Sequence, residues 1–552
     1  MFRPSKPSQS NLFTSGGSIF SGKSLSIYED TNSWHNMFRE KVTNKIDETI
    51  FKPLFAEGKG TPNASIKVLL SMMILKEAQG LSDEKLFESC RFNMLTRSAI
   101  GLLNADDSLP TESTYYLFRK RVNDYAKQTE TNLFDVVFSS ITKAQSLEFA
   151  VSGKRIRMDS KLLGSNIAWL SRYELVHETV RLFYKEVKKS DKIDSELKEK
   201  LEALLKFKAN KVVYSSSSLE LKEKLKELGV LISKIVVIFS SCETTAYQTL
   251  KRVFEEQFTI TQDKEVLAKD KEEITSKSVQ SPHDTDCDFR NKDGNKVKGY
   301  SINLTESCDD DKELNLIANV DVRVVTTPDV AFFQDAVNSA EEVFSNKADN
   351  IHTDGAYHNS ENQEFCTKND ANLLLHAIQG PESRYYLEFQ ENNELSILDT
   401  QTNQYLEYTK IKGKNDVQKW RIKTEKGYRY FTQKQIDVCT IRKKIEQTPK
   451  EILQKRNNVE ASIFQLGYHY SNAKSRYRGL IKHQMWANMR CLWVNFVRVL
   501  NYINKESLKT AFFKKIDLKM AFKMFISTCK MTLQENIFGK VYFSQKLKIR
   551  AF

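Results

Sequence analysis

Between Ala64 and Ala78 the apolar residues Ile66, Leu69, Leu70, Met73 and Ile74 recur every three or four positions, which predicts a helix with one buried face. Pro62 and Asn63 mark its start. A second helix is expected over Ser82–Arg91, with Ser82 as cap, and a third over Asn93–Leu103. Thr111 caps a fourth, which runs into the basic cluster Arg119-Lys120-Arg121, and helix continues from about Tyr125 to Lys143. At Arg155 the period changes to that of a strand, which is expected to end at Asp159. From Trp169 to Ser276 the pattern is helical again, with Leu175, Val176, Thr179, Val180, Phe183, Leu201, Leu204 and Leu205 as its apolar stripes. An Asp-Gly turn at Asp293-Gly294 introduces the strand Val297–Leu304. Strand Leu314–Thr326, helix Pro328–Phe344 and the short strand Asn350–Thr353 follow, and the last enters the turn Asp354-Gly355. Arg384 to Tyr430 reads as a small antiparallel β module and Lys434–Gln454 as helix. Residues 457–503 are mostly helical. Their stripe Trp486, Met489, Trp493, Phe496, Val497 and Leu500 reads as core rather than as a base-stacking platform.

This order of elements is that of an α/β protein whose mixed sheet is interrupted by insertions. At 552 residues the chain exceeds one ordinary core. Its 84 Lys and Arg against 71 Asp and Glu leave a charge of +13, which favours a polyanionic partner, most simply nucleic acid. No apolar run has the length of a membrane-spanning helix and no signal-like apolar core opens the chain, so a cytoplasmic, nucleoid-associated protein is expected. The eight cysteines stand singly with no C-x-x-C pair, which argues against a zinc ribbon and against a disulfide framework. Short helices ending in Arg119, Lys120 and Arg121 suit a helix-turn-helix-like DNA reader. A plain helical bundle with a solvated basic face fits the same letters.

Candidate chemistry lies in three acids with apolar neighbours: Asp159 in Arg155-Ile156-Arg157-Met158-Asp159-Ser160, Asp354 in His352-Thr353-Asp354-Gly355-Ala356-Tyr357, and Glu460 in Asn458-Val459-Glu460-Ala461-Ser462-Ile463-Phe464. Two strand-end aspartates and a glutamate on a helix that turns Val459, Ile463 and Phe464 to the sheet would converge if the long intervals are insertions. Three convergent carboxylates suit a pair of Mg2+ ions for phosphoryl transfer, with no Ser, Cys or His nucleophile needed. Glu446 and Glu451 are rival third acids. Glu460 is preferred because a lone Glu between Val459 and Ile463 has the greater need of a partner.

These three stretches resemble the DDE transposases of bacterial insertion sequences, in particular the branch numbered eleven-eighty-two, related to the IS-four and IS-five types. The resemblance extends over roughly Trp34 to Ile503 and includes Pro110-Thr111-Glu112-Ser113-Thr114-Tyr115 and Ser281-Pro282-His283-Asp284-Thr285-Asp286. It implies an RNase H-like catalytic core over 151–503, with a helical insertion at about 166–280 and a β-containing one at about 376–445. A poorly ordered leader (1–33) and a helical DNA-binding domain (34–150) precede the core, and a basic tail (504–552) follows it. It also implies Asp159, Asp354 and Glu460 as ligands of two Mg2+ ions, replaceable by Mn2+. Double-stranded DNA, both inverted-repeat ends and target, and a homodimer in the synaptic complex are the implied partners, with no membrane and no small-molecule cofactor. The related Tyr-x-x-Arg-x-x-x-Glu signature is kept at Arg456 and Glu460, but Leu453 holds the Tyr position and Gly467 the later Lys position. Arg456 is therefore the expected phosphate contact, with Lys474, Arg476 and Arg478 as further DNA-binding candidates. A nuclease without strand transfer and a catalytically inactive, domesticated DNA-binding protein are the alternatives.

Overall fold

The computed structural model describes residues 1–6, 9, 15–58, 60–190, 193–310, 313–378, 380, 383–390, 394–412, 417–425, 427–467 and 474–507. Most of the expected basic tail, from 508 on, and part of the expected leader, at 7–8 and 10–14, lie outside the described residues. The chain divides into a unit of Met1–Phe496 and a second of Val497–Phe552, whose described part, 497–507, is helical.

In the first unit, helices fill the chain from 16 to 148: α1 (Gly22–Glu29), α2 (Trp34–Lys41), α3 (Ile66–Gln79), α4 (Asp83–Phe92), α5 (Met94–Ala99), α6 (Glu112–Thr129) and α7 (Leu133–Glu148), with short 3-10 turns between them. Polar caps set their starts. Ser82 takes the Lys85 N–H and Thr111 takes that of Thr114. Ser65, not Asn63, caps α3. The helix expected from Tyr125 to Lys143 is two helices. Glu130 adopts the left-handed conformation at φ 57°, and Asn132 starts a new helix by accepting from Phe134 N.

Strand β1 (Arg155–Gly164) opens a mixed α/β region. It leads into α8 (Arg172–Val187), α9 (Ser195–Leu205), α10 (Ala209–Ser215), α11 (Ser218–Ile238), α12 (Thr245–Gln257) and the hairpin β2 (Phe258–Ile260) and β3 (Val266–Ala268). This insert buries an apolar cluster of its own, in which Val176, Phe183, Leu201 and Leu228 take part. The chain then returns through β4 (Asp288–Lys292), β5 (Asn295–Ser307), β6 (Ile317–Val324), α13 (Phe333–Phe344), β7 (Asn350–Thr353), α14 (Ser360–Lys368) and β8 (Asn372–Leu375). Asp293 and Gly294, at φ 51° and 82°, make the expected tight turn between β4 and β5.

The sheet runs β4-β5-β1-β7-β8, with β6 also on β5. The long β5 pairs along one edge with β4 and then β6, and along the other with β1. β1 is antiparallel to β5 and parallel to β7, which is parallel to β8. A second insertion holds two three-stranded sheets, β9 (Tyr385–Phe389), β10 (Leu395–Asp399) and β11 (Gln404–Tyr405), then β12 (Thr409–Lys412), β13 (Gln418–Thr424) and β14 (Gly427–Thr432). Helices α15 (Gln433–Gln447), α16 (Lys450–Gln454) and α17 (Asn458–Leu466) come next, and among the described residues 480–507 are helical (α18). Pro449 divides what the sequence suggested was one helix over Lys434–Gln454.

Before residue 497, α18 supplies Trp486, Met489 and Phe496 to the core, as the apolar stripe predicts. It also completes the edge of the sheet. Gln484 Oε1 accepts from Val322 N at 2.8 Å while its Nε2 donates to Val320 O at 2.7 Å. Asn495 makes the same two-way pair with the N–H and C=O of Ile317, at 2.8 and 2.9 Å. Two side-chain amides thus stand in for a missing neighbour strand on β6.

Asp135, in the first turn of α7, receives Gln484 Nε2 at 3.0 Å and Asn132 Nδ2 at 3.2 Å on Oδ1, and Asn488 donates to the same atom. Burial, and secondarily the charge of Asp321, push its carboxyl up to about 6 against these donors. A carboxyl raised in the fold stabilises it fully below the unfolded value and loses that contribution as pH rises through about 6. Asp135→Asn keeps an acceptor for the three donors and carries no charge. It should raise stability at pH 8 by about 1 kcal/mol and leave it unchanged at pH 4. Thermal unfolding at the two pH values checks this; an equal effect at both would assign Asp135 a purely hydrogen-bonding role.

Candidate active site

Side chains alternate along β1, so Arg157 and Asp159 share one face of the sheet. The parallel register pairs Arg155 with Asn350 and Arg157 with His352. Extended by two residues, that offset sets Asp159 beside Asp354. Asp159 does not end its strand, as expected from the sequence, but lies inside β1, because Ser160–Gly164 continue to pair with β5. Its neighbour β7 stops at Thr353, and the space past that end is where the site opens. Gly355 follows because the chain at 377–378 passes against it: a Cβ there would meet Ala377 O at 2.3 Å.

Two carboxylates side by side repel and call for a cation. Arg456, in the turn Lys455–Asn457 before α17, supplies it. Its Nη2 lies 2.8 Å from Asp159 Oδ2 and 3.9 Å from Asp354 Oδ2, and its Nη1 lies 3.2 Å from Glu460 Oε1. The three acids selected from the sequence therefore meet at one guanidinium. Asp159 Oδ1 also accepts from Ser160 N at 2.8 Å, and Asp354 Oδ1 from Ala356 N at 2.9 Å. Exposure grades across the cluster, from 13% for the Asp159 and Arg456 side chains through 36% for Asp354 to 61% for Glu460, so the site has a closed floor and an open rim.

Burial pushes the Asp159 carboxyl up to about 6. Arg456 and the Ser160 N–H pull it back, and the charges of Asp354 and Glu460 push it up again. Helix α17 lays Val459, Ser462, Ile463 and Leu466 against the sheet. Phe464, expected on that face, is 63% exposed, because the 459, 462/463, 466 stripe leaves it one step round the helix. Of the rival acids, Glu446 lies near Tyr386 of the β module.

Behind the acids is a buried hydroxyl network. Tyr357 OH lies 2.6 Å from Ser160 Oγ and accepts from Asn303 Nδ2 at 2.7 Å. Burial raises the Tyr357 hydroxyl well above its ordinary value, so it remains a proton donor. A fourth acid, Asp329, sits in the turn Asp329–Phe332, which packs on the turn Gly355–Tyr357. Burial raises its carboxyl, as does the charge of Asp354, while the nearby Ser160 hydroxyl pulls it back. Asp329 stands where the sequence predicts only the start of a helix. An acid directly after the Thr327-Pro328 stop of a strand was the available signal.

The basic candidates divide into two kinds. Arg119, Lys120 and Arg478 line a groove of about 530 Å³ between α6 and residues 478–482, where Lys127 and Lys482 join them. Lys120 is exposed and pairs with Asp124 at 2.7 Å, whereas Arg119 is largely enclosed, 3.7 Å from Asp83 and over the Tyr115 ring. Arg121 lies over the Phe55 ring. Arg478 also donates to Asn166 O at 2.7 Å. Lys474 donates to Ile167 O at 2.6 Å, and Arg476 to Leu81 O and Gly80 O at 2.6 and 2.7 Å, the latter pair at the carboxyl end of α3. Both tie chain segments together through backbone carbonyls.

Among the described residues no helix is long and apolar enough to cross a membrane, and no group of three His, Cys, Asp or Glu side chains is arranged to hold a metal ion. No curated protein and no solved structure matches the chain. Residues 26–121, which run from α1 to the Arg119–Arg121 cluster of α6, match the family model described as "Transposase domain (DUF772)", and this match supports a transposase family for the chain.

Proposed function

We propose that the chain is a DDE-type transposase with an RNase H-like core, which cuts DNA at the inverted-repeat ends of its element and joins them to target DNA. The observation that carries this reading is the meeting of Asp159, Asp354 and Glu460, from two adjacent parallel strands and a helix laid on the same face, at one guanidinium. The donor set is hard carboxylate oxygen, which suits Mg2+ or Mn2+. Arg456 acts as a stand-in cation: it marks the point where the cluster favours positive charge, and it must yield that point for the three acids to hold metal. When bound there, a pair of divalent ions would activate the attacking water or 3′-hydroxyl and stabilise the leaving oxygen. Asp159 on the closed floor orients the reacting centre, Glu460 on the rim meets incoming DNA, and Arg456, once released, is free to take a backbone phosphate. The groove with Lys120, Lys127, Arg478 and Lys482 offers contacts to duplex DNA, and a dimer would synapse two ends.

The test is Mg2+- or Mn2+-dependent nicking of a supercoiled plasmid carrying both genomic flanks of the gene. Wild type should nick at the repeat ends, and Glu460→Gln should bind the same DNA without cutting. Equal cutting by both would transfer the role to Glu446 or Glu451. Binding without cutting by wild type would favour a DNA-binding protein, and nicks without joined products a simple nuclease.

A further inference from the structure

The acids do not account for one costly feature beside them. Arg157 and Glu306 are direct cross-strand partners on β1 and β5, with Nε to Oε1 at 2.6 Å and side chains only 5% and 0% exposed. A fully buried ion pair rarely adds net stability over apolar residues of the same volume, because both charges must be desolvated. Its remaining hydrogen bonds show where it acts. Arg157 Nη1 donates to Lys455 O at 2.9 Å, and Glu306 Oε2 accepts from Ser462 Oγ at 2.7 Å. Lys455 immediately precedes Arg456, and Ser462 is two residues beyond Glu460. The pair therefore grips the segment bearing Arg456 and Glu460 on both sides, Arg157 from the strand that bears Asp159 and Glu306 from its neighbour β5. Lys455 adds a further hold through its ammonium on Asp310, just past β5.

We propose that Arg157 and Glu306 are positioning residues: a buried clamp that sets the turn Lys455–Asn457 and helix α17 at the distance from β1 at which Asp159 and Glu460 serve one site. This rests on the three-acid reading of the site. On its N-terminal side, the long insertion between β8 and α16 gives the segment no short covalent tether to the sheet, so there its distance from β1 is set through space. A displacement of about 1 Å at a reacting centre costs on the order of 100-fold in rate, and loss of a partner that orients a metal ligand about 10- to 100-fold in metal affinity or activity.

The experiment compares full-length wild type, Ser462→Ala and the double variant Arg157→Met with Glu306→Leu. It reads Mn2+ affinity by calorimetry, kcat and KM for plasmid nicking, and the unfolding temperature. Removing both charges together should leave the unfolding temperature and KM nearly unchanged and lower Mn2+ affinity and kcat by about 10- to 100-fold. Ser462→Ala should show the same pattern at about 3- to 10-fold. A purely structural pair would move the unfolding temperature and leave metal affinity and kcat alone, and that result overturns the clamp. If the double variant fails to fold, wild-type metal affinity and kcat in Ser462→Ala overturn it. A wild type that binds no Mn2+ and does not nick would instead remove the three-acid site, and the clamp with it.

Discussion

Asp159→Asn should reduce end-specific nicking by about a thousandfold while end-DNA binding stays within about threefold of wild type, since a metal ligand is worth several kcal/mol to the transition state and each tenfold in rate corresponds to about 1.4 kcal/mol. Asp159 is the choice for the largest loss because it is the most enclosed of the three acids and holds Arg456 most closely. Asparagine occupies the same volume and can keep the Ser160 N–H on its Oδ1. The substitution should not destabilise the fold. A carboxyl pushed up to about 6 is ionised at pH 7.5 against a penalty, and the neutral amide carries none. Activity falling while the unfolding temperature holds or rises is the signature of a site that trades stability for chemistry. Nicking at wild-type rate would remove Asp159 from the site.

Arg157→Ala should have the largest effect on stability, about 3–5 kcal/mol, because it takes the guanidinium from the buried Glu306 carboxylate and frees the Lys455 carbonyl. That is a large share of the roughly 5–15 kcal/mol by which folded domains exceed their unfolded chains. The contrast with the double variant is the informative part. One vacancy is severe and two are mild, because the penalty attaches to the buried charge that stays behind rather than to the missing contact. Denaturant midpoints of the two variants measure it; a loss below about 1 kcal/mol in Arg157→Ala would show that water reaches Glu306.

The strand around Asp159, the turn at Asp354 and the helix at Glu460 were legible in the sequence because each is a local pattern: a period change, an Asp-Gly pair, a lone acid in an apolar stripe. What brings them together was not. The register that sets Asp159 beside Asp354 is a long-range pairing between residues numbered 155–157 and 350–352, and nothing local encodes it. Glu306 lies beyond the strand end expected at Leu304; β5 runs on to Ser307 and carries this acid into the core. Arg456 was expected on a phosphate; its hold on all three acids is a tertiary fact. Lys474 and Arg476 show the limit of reading charge from letters. Their cations end on backbone carbonyls, which have no residue-specific signal.

The amides of Gln484 and Asn495 on the edge of β6 also bear on how the chain must be made. Strand β6 emerges from the ribosome more than 150 residues before the helix that closes it, so for that interval of synthesis its hydrogen-bonding edge has no native partner. The helix then acts as a late shutter. A product ending before residue 480 would keep the three acids yet expose a strand ready to pair with its own copies. Premature termination in this region should therefore produce aggregate rather than a shortened, DNA-cutting protein.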